Sequence, residues 1–402
     1  MNVYIADAFP PEAVTALESL GCAVMNNPGA SESDLGSGLD GVAVLIVRST
    51  KVNAECIAHS PDLSLVIRAG AGVNNIDLDA ASRRGVFVAN CPGQNAIAVA
   101  ELAFGLILSA DRRIPENVAD FRTGVWNKAL YSKADGLYGK TLGVLGTGGI
   151  GRELIRRAKA FGMPVVAWSR SLSPEAAATL GVTHAANPRA VAAACDVLSI
   201  HLALTPETRG LVSKDVLASL HDGALVVNTA RAEVVDEDAL YAELSAGRLN
   251  AAVDVFTGEP EGKSGEVTHR LAALPNCYVT HHIGASTKQA QIAVAMDAVD
   301  IVRGYTQEGT VRNWVNRCRQ TLAPWQLVVR HYDRPGVLAN VLSELKSAGI
   351  NVQELDNVIF DGKETASCSI QLDARPGEAV LAAIRGRSDE VIGVALLESA
   401  AG

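Results

Sequence analysis

Short apolar runs alternate with stretches of helical spacing through the first part of the chain. Residues 3–6, 42–47 and 65–68 are apolar runs of strand length, and residues 11–20 begin with a proline, which is common at the first turn of a helix. Runs that are apolar throughout are typical of strands buried on both faces of a parallel sheet. The pattern therefore predicts a parallel α/β domain at the start of the chain.

The same alternation begins again near residue 140. Strands are predicted at the following apolar runs: residues 141–145, 164–168, 197–202, 224–228, 251–255 and 278–280. A long apolar helix is expected before them, at residues 96–109, and another after them, at residues 286–305. We expect two Rossmann-like, doubly wound parallel-sheet domains, one of residues 95–285 and one assembled from residues 1–94 and 286–320.

A different order of elements follows residue 324. The pattern predicts these elements in turn: a strand at 326–330, a helix at 337–348, strands at 352–358 and 365–372, a helix at 378–386 and a strand at 391–397. This is the βαββαβ order of a ferredoxin-like fold. We therefore predict a third domain of residues 325–400.

A glycine-rich turn, Gly146-Thr147-Gly148-Gly149-Ile150-Gly151, lies between a predicted strand and a predicted helix. Gly146 permits a tight turn, Gly148 lets the backbone approach a pyrophosphate, and Gly151 allows close contact between helix and strand. The helix N-terminus adds free N–H groups for the phosphates. The turn predicts an NAD-type site in the second domain, completed by residues near neighbouring strand ends: Ser169, Arg170, His201, Ala230 and Asp254.

The end of the next strand bears on the choice between NAD and NADP. Dinucleotide sites usually have an acidic residue there, which binds the adenosine ribose, but this chain has Ser169 and Arg170. A guanidinium can pair with a 2′-phosphate, so NADP is expected to be tolerated. The alternative is that Arg170 is a solvated loop residue beside a site that uses NAD.

Composition and charge narrow the class of protein. The chain has 402 residues, 48% of them hydrophobic and 20% charged, as expected for a globular protein of two or three domains. A formal charge of −9 disfavours nucleic acids and anionic membranes as partners. No apolar run has membrane-spanning length and no leader precedes the first strand, so we expect a cytoplasmic location. Seven cysteines without a C-x-x-C pair indicate neither disulfides nor a metal site.

Three chemically active residues follow predicted strands of the second domain: Arg231, Glu259 and His282. The carboxyl ends of parallel strands share one edge of the sheet, so these side chains are expected to meet there. An imidazole beside a carboxylate can accept a hydroxyl proton, and an arginine can hold a substrate carboxylate in two hydrogen bonds. The set suits hydride transfer from a 2-hydroxy acid.

Each residue also has an ordinary structural interpretation. Arg231 could form an ion pair, Glu259 could open a loop, and His282 could serve packing. His281 competes with His282, since neighbouring residues of an extended chain point to opposite faces.

The segments that carry these residues resemble the D-isomer-specific 2-hydroxyacid dehydrogenases. The resemblance covers residues 1 to about 320 and includes the segment 68–77, the segment 90–95 with Glu101, the glycine turn and the three catalytic segments. It implies catalytic roles for Arg231, Glu259 and His282. His281 and Ala203 replace usual prolines and Ala232 a usual glycine, which affects loop geometry and not the reaction class.

Within this family, the chain looks most like members that oxidise 3-phosphoglycerate with NAD(P) in serine biosynthesis. The segment around Arg48 and Lys51 resembles one that approaches the substrate phosphate, and Lys128 resembles a lysine that reaches the neighbouring subunit's cleft. The alternative for Arg48 and Lys51 is that both are solvated loop charges. The remaining substrate residues that the resemblance implies are Ala71, Gly72, Val73 and Asn95.

The C-terminal unit resembles an ACT regulatory domain, with its signature at residues 331–336. In relatives that sense serine, the effector contacts residues matching His331, Asp333 and Asn351, although Asp333 replaces a usual asparagine. Serine is therefore the expected effector, and a purely structural role in dimerisation is the alternative. ACT units usually pair edge to edge, so a homodimer or homotetramer is expected.

Two other functions remain open. A glyoxylate or hydroxypyruvate reductase would agree with Arg170 but would leave the ACT unit unexplained. A dinucleotide-sensing corepressor built on the same fold could retain the catalytic residues, although the chain shows no polar interaction tail.

Overall fold

Two parallel sheets make up the larger part of the protein. The computed structural model describes residues 1–37, 39–260, 265–318 and 323–398. The chain divides into two units, Met1–Asn316 and Arg317–Gly402, and both parallel sheets lie in the first. The fold class predicted from the sequence is confirmed.

The first sheet has five strands: β1 (Asn2–Ile5), β2 (Ala23–Asn26), β3 (Val44–Val47), β4 (Leu65–Arg68) and β5 (Phe87–Asn90), with helices α1 (Pro11–Ser19), α2 (Glu32–Gly36), α3 (Ala54–Ala58) and α4 (Leu78–Arg83) between them. All strand pairs are parallel, in the order β2-β1-β3-β4-β5. β3 is buried along its whole length, as its unbroken apolar sequence predicts. β2 was not predicted from the sequence, and this edge strand is largely exposed.

Three helices lead from the first sheet to the second: α5 (Ala96–Arg112), α6 (Ile114–Arg122) and α7 (Lys128–Tyr131). The second sheet contains β6 (Leu142–Leu145), β7 (Val165–Trp168), β8 (Thr183–His184), β9 (Val197–Ile200), β10 (Leu225–Asn228), β11 (Asn250–Val253) and β12 (Cys277–Val279). Its helices are α8 (Gly149–Ala160), α9 (Pro174–Leu180), α10 (Pro188–Ala192), α11 (Lys214–Ala218) and α12 (Glu237–Ser245).

The second sheet runs in the order β12-β11-β10-β9-β6-β7-β8, entirely parallel. The strand order reverses between β6 and β9, which is where ligands bind in doubly wound sheets. The buried residues Ala100, Ala103 and Ile107 of α5 pack in the same core cluster as Leu154 of α8.

A long helix, α13 (Lys288–Glu308), returns from the second sheet to the first. Its residues Ala298 and Val302 are fully buried in the same cluster as Val3 and Ile46 of the first sheet. The Thr287 side chain accepts a hydrogen bond from the N–H of Ala290 and so caps the start of the helix. The sequence-predicted domain limits stay a prediction, and their ends at residues 320 and 400 lie outside the described residues.

The second unit is a four-stranded antiparallel sheet with two helices. Its elements are β13 (Trp325–Tyr332), α14 (Val337–Ser347), β14 (Val352–Ile359), β15 (Thr365–Leu372), α15 (Glu378–Arg385) and β16 (Val391–Glu398). The sheet order is β14-β15-β13-β16, as in a ferredoxin-like fold. Throughout the described residues of the chain, no helix combines the length and hydropathy needed to cross a membrane.

Packing explains two of the glycines in the turn between β6 and α8. Gly146 has φ of +99°, and a Cβ there would lie 2.4 Å from the His201 carbonyl oxygen. A Cβ on Gly151 would lie 2.0 Å from the Gly146 carbonyl oxygen, whereas one on Gly148 would meet no atom within 4 Å. Two of the glycines are therefore required by the fold itself, and Gly148 faces open space.

We expect Gly151→Ala to lower the free energy of unfolding by about 1–3 kcal/mol, although alanine is the better helix former, because the new methyl group forces the turn apart. Gly148→Ala serves as the matched control and should change it by less than about 0.5 kcal/mol. Denaturant unfolding of both variants measures the difference. Equal effects would contradict this explanation of the turn.

Candidate active site

The structure brings Arg231, Glu259 and His282 to one cleft. His282 Nδ1 lies 2.7 Å from Glu259 Oε2, and all three side chains line the same lobe of the cleft. A larger lobe of about 560 Å³ adjoins it and shares Glu259 and His282. The loops after strands of the second sheet thus meet as the parallel topology predicts.

The Glu259 carboxylate is held in its ionised form. Burial alone would raise the pKa of Glu259, but the hydrogen bond and charge of His282, the N–H of Phe256 and the charge of Arg231 together bring it below its usual value. The Phe256 N–H donates to Glu259 Oε1 at 3.1 Å. An ionised carboxylate only accepts hydrogen bonds, so His282 Nδ1 carries the proton and its Nε2 is left for a ligand.

His282 occupies a backbone conformation that residues with a side chain rarely adopt, with φ of +52°. The loop is held by Asp254, which is 1% exposed and follows β11. Asp254 accepts hydrogen bonds from the N–H groups of Ile283 at 2.9 Å and Gly284 at 2.8 Å, and from the Thr280 hydroxyl at 2.6 Å. These bonds offset the cost of the strained backbone and fix the imidazole.

Asp254 was predicted to bind the cofactor, and in the structure it holds the loop of His282 through hydrogen bonds. Both of its oxygens are engaged by the loop that carries His282. Its role toward a cofactor stays a prediction.

Arg231 is positioned by a second buried polar residue. The Asn228 side chain, 2% exposed at the end of β10, donates to the Arg231 carbonyl and accepts from the Ala230 N–H, both at 3.0 Å. The guanidinium lies against Gly72, where a Cβ would stand 2.6 Å from Arg231 Nη2. The glycine at position 72 thus lets the loop of the first sheet approach the arginine.

Arg48 and Arg68 line the cleft from the first sheet. Arg68 Nε donates to the Arg48 carbonyl at 3.1 Å. Burial, together with the positive charges of Arg231 and Arg48, lowers the pKa of Arg68 to about 10. The positive charges of Arg231 and Arg48 disfavour the charged form of Arg68, and a bound anion would relieve that repulsion.

Arg68 is a candidate binding residue that the sequence reasoning missed. It ends β4 at the carboxyl edge of the first sheet, and a position at a strand end is the same signal that marked Arg231 after β10. A Cβ on Gly70 would lie 1.8 Å from Arg68 Nη1, so this glycine makes room for the guanidinium.

The glycine turn also fits a dinucleotide. Gly148 leaves open space before the N-terminus of α8, where a pyrophosphate can meet backbone N–H groups, and Ile150 lies in the first turn of that helix. His201 stands beside the turn, and its Nδ1 is buried without a partner in the described part of the chain. Burial lowers the pKa of His201 to about 4, so the ring is neutral and can offer one hydrogen bond to a ligand.

The residues predicted to bind the ribose follow β7. Ser169 is half-buried and Arg170 is exposed. The positive charge of Arg170 helps to lower the pKa of Glu207, after the stronger effects of the Thr205 side chain and the Glu207 backbone. Arg170 therefore faces the loop after β9, and the geometry leaves NAD and NADP both open.

The remaining predicted substrate residues divide into two groups. Asn95 lines the larger lobe, and the loop of Ala71 and Val73 flanks Gly72 in the smaller one. Lys51 and Lys128 are exposed, and neither lines the two lobes in the described part of the chain. Their assignment to the substrate stays a prediction.

The predicted effector residues lie in the second unit. His331 is 2% exposed, with Nδ1 bonded to the Tyr332 carbonyl at 2.8 Å and Nε2 lying 3.1 Å from the Asn357 side chain. Asp333 and Asn351 are exposed. Two of the three residues are thus accessible to an effector, whereas both ring nitrogens of His331 are already engaged.

The chain is similar to known proteins in sequence. A family model described as D-isomer specific 2-hydroxyacid dehydrogenase, NAD binding domain, matches residues 104–284. The chain is 35% identical over 372 residues to a D-3-phosphoglycerate dehydrogenase of Methanocaldococcus jannaschii, covering 90% of this chain and 68% of that protein. It is 39% identical over 357 residues to one of Mycobacterium tuberculosis, covering 87% of this chain and 66% of that protein. The chain thus spans about two thirds of the length of these curated relatives.

A solved structure gives a further comparison. The NAD⁺-bound 3-phosphoglycerate dehydrogenase of Entamoeba histolytica matches with a TM-score of 0.66 and 26% identity, over 79% of this chain and 99% of that chain. Fold, glycine turn and sequence similarity agree, and the chain belongs to the D-isomer specific 2-hydroxyacid dehydrogenase family, with that family's NAD-binding domain.

Proposed function

We propose that the protein is a D-3-phosphoglycerate dehydrogenase, which oxidises 3-phosphoglycerate to 3-phosphohydroxypyruvate in serine biosynthesis. The observation that carries this proposal is the position of Arg48 and Arg68 in the cleft that also contains the Glu259–His282 pair. A substrate with a carboxylate at one end and a phosphate at the other can use guanidinium groups at both ends. The curated relatives described above have the same named activity.

The chemical step follows from the tautomer of His282. Its Nε2 accepts the proton of the substrate hydroxyl while Glu259 remains ionised and stabilises the imidazolium that forms. Arg231 holds the substrate carboxylate, and its charge favours the developing carbonyl. Bound NAD, held by the glycine turn, supplies the acceptor for the hydride that leaves the same carbon.

His282→Asn should lower kcat for the oxidation by on the order of 10²- to 10⁴-fold, because asparagine cannot take up the proton. Steady-state rates measure the loss, with NAD binding checked separately by titration. His281→Asn is the comparison, and an equal loss in it would overturn the assignment of the base.

The guanidinium of Arg48 is proposed to select the phosphorylated substrate. Arg48→Ala should lower kcat/KM for 3-phosphohydroxypyruvate by on the order of tenfold or more while changing that for hydroxypyruvate much less, since an Arg–phosphate pair is a strong charge-assisted contact. Arg83→Ala, an exposed arginine of α4, is the matched control. An unchanged ratio in Arg48→Ala would refute the phosphate assignment.

The same assay addresses the alternative functions and the cofactor. A wild-type preference for hydroxypyruvate or glyoxylate would favour a reductase, and the exposed Arg170 supports comparing NADH with NADPH in each reaction. Absence of turnover with every substrate and cofactor pair would favour a dinucleotide-sensing binding protein.

We propose that the protein is a homodimer or homotetramer. Five large apolar side chains of the segment 114–126 are exposed, among them Phe121 at 65% and Trp126 at 75%, and no residue of α6 is buried. A contiguous apolar surface of this kind is typical of a subunit interface. Pairing through this segment would also agree with the predicted reach of Lys128 into a neighbour's cleft.

Phe121→Glu should shift the protein toward a lower molar mass, because a buried unpaired carboxylate destabilises an apolar interface. Light scattering after size-exclusion chromatography gives the mass, and circular dichroism verifies the fold. Met25→Glu, at an exposed apolar residue of β2, is the control. A wild type that is monomeric at micromolar concentration would contradict the proposal.

We further propose that the second unit binds an amino-acid effector, with serine as the candidate. The exposed Asp333 and Asn351 support this, since a carboxylate and an amide can bind an amino group and a carboxylate. Initial rates with and without serine test it.

A cytoplasmic location is supported by the buried free thiols, Cys22, Cys56, Cys91, Cys195 and Cys368.

A further inference from the structure

Asp7 is a buried acidic residue to which none of the chemistry described so far assigns a role. It follows β1 and is 5% exposed. Its Oδ2 accepts hydrogen bonds from three successive backbone N–H groups, those of Arg48 at 2.7 Å, Ser49 at 3.0 Å and Thr50 at 3.1 Å. One carboxylate oxygen thus organises the first turn of the loop after β3.

The topology places this contact where a ligand is expected. β1 and β3 are neighbours in the first sheet, and the strand order reverses between them. In doubly wound sheets, ligands bind outside the carboxyl ends of the strands at such a reversal. Asp7 leaves one of these two strands and Arg48 leaves the other.

The loop is also held from its other side. Arg68 Nε donates to the Arg48 carbonyl, so the Arg48 backbone is bonded through its N–H to the buried Asp7 and through its C=O to the half-buried Arg68. A backbone fixed at both groups loses little further freedom when its side chain binds a ligand.

Asp7 is ionised in this setting. Burial would raise its pKa, but the N–H groups of Arg48, Thr50 and Ser49 bring the pKa of Asp7 below its usual value. Its negative charge partly offsets the positive charge of Arg68, which lines the cleft. Asp7 lines neither described lobe of the cleft, and its Oδ2 is occupied by the loop, so Asp7 acts through Arg48.

We propose that Asp7 is a positioning residue which, by fixing the Arg48 loop, sets the preference for a substrate with an anionic group at the end remote from the reacting carbon. This inference rests on the proposed function, because it requires Arg48 to bind the phosphate. Asp7 should not affect the hydride transfer step, since His282 and Glu259 lie on loops of the other sheet.

The test compares Asp7→Asn, which removes the charge and keeps the size, with Asp7→Glu, which keeps the charge and displaces it by one methylene. In both variants, KM for 3-phosphohydroxypyruvate should rise on the order of tenfold with kcat nearly unchanged, and KM for hydroxypyruvate should change by less than about twofold. The matched control is Asp62→Asn. The Asp62 side chain also accepts a hydrogen bond from a backbone N–H, that of Gly41 at 3.1 Å, but Asp62 precedes β4 and so lies at the amino-terminal ends of the strands, away from the cleft.

The double variant Asp7→Asn/Arg48→Ala separates positioning from general stability. If Asp7 acts through Arg48, the double variant should show no greater loss than Arg48→Ala alone. Additive losses, or equal losses on both substrates, would overturn the inference, as would Asp7 variants that bind both substrates normally.

The failure of the proposed function would look different. A wild type with no preference for the phosphorylated substrate would overturn both proposals. A wild type whose preference depends on Arg48 but is indifferent to Asp7 would overturn this inference alone.

Discussion

The chemistry of this protein depends on irregular backbone, and irregular backbone keeps its shape only where its polar groups find partners. His282, Arg231 and Arg48 all lie in loops after strands, and each loop is hydrogen-bonded to a buried polar side chain. Asp254 holds the loop of His282, Asn228 holds that of Arg231, and Asp7 holds that of Arg48. All three side chains stand at or just beyond the end of a strand. The rigid sheet thereby transmits its geometry to the reactive groups, since a buried polar side chain is held by the same hydrogen bonds that it makes.

The electrostatics of the cleft have two distinct parts. On the second sheet, Glu259 and His282 form a pair in which the carboxylate stays ionised and determines which imidazole nitrogen carries the proton. On the first sheet, Arg48 and Arg68 concentrate positive charge, so that burial and mutual repulsion disfavour the charged state of Arg68. The Glu259–His282 pair and the two arginines therefore line the same cleft as a proton acceptor and a separate anion site.

Much of this arrangement could be predicted from the sequence because it follows from local rules. Most strands of both sheets are short apolar runs, although β2, β5 and β8 were not predicted. The steric reasons for the glycine turn are also local, as Gly146 and Gly151 show. The meeting of Arg231, Glu259 and His282 follows from the single rule that parallel strands share a carboxyl edge.

What the sequence did not predict depends on pairs of distant residues. Asp7 and Arg48 are 41 positions apart, and nothing local to either residue indicates their contact. Arg68 was hidden because it is the last residue of a predicted strand, and the burial of His331 follows from its register in β13. Hydrogen bonds between distant loops can be identified only from the structure, whereas strands and turns can be predicted from the sequence pattern.

The return of α13 to the first sheet means that the chain passes twice between the two sheets, before α5 and before α13. Both passages border the cleft, since Asn95 and Ser286 line its larger lobe. A change of backbone angle at these two connections would alter the distance between the sheets, and with it the width of the cleft. A molecule bound by guanidinium groups of the first sheet and by the imidazole of the second would then be selected by length, because it must span the cleft to contact both sheets.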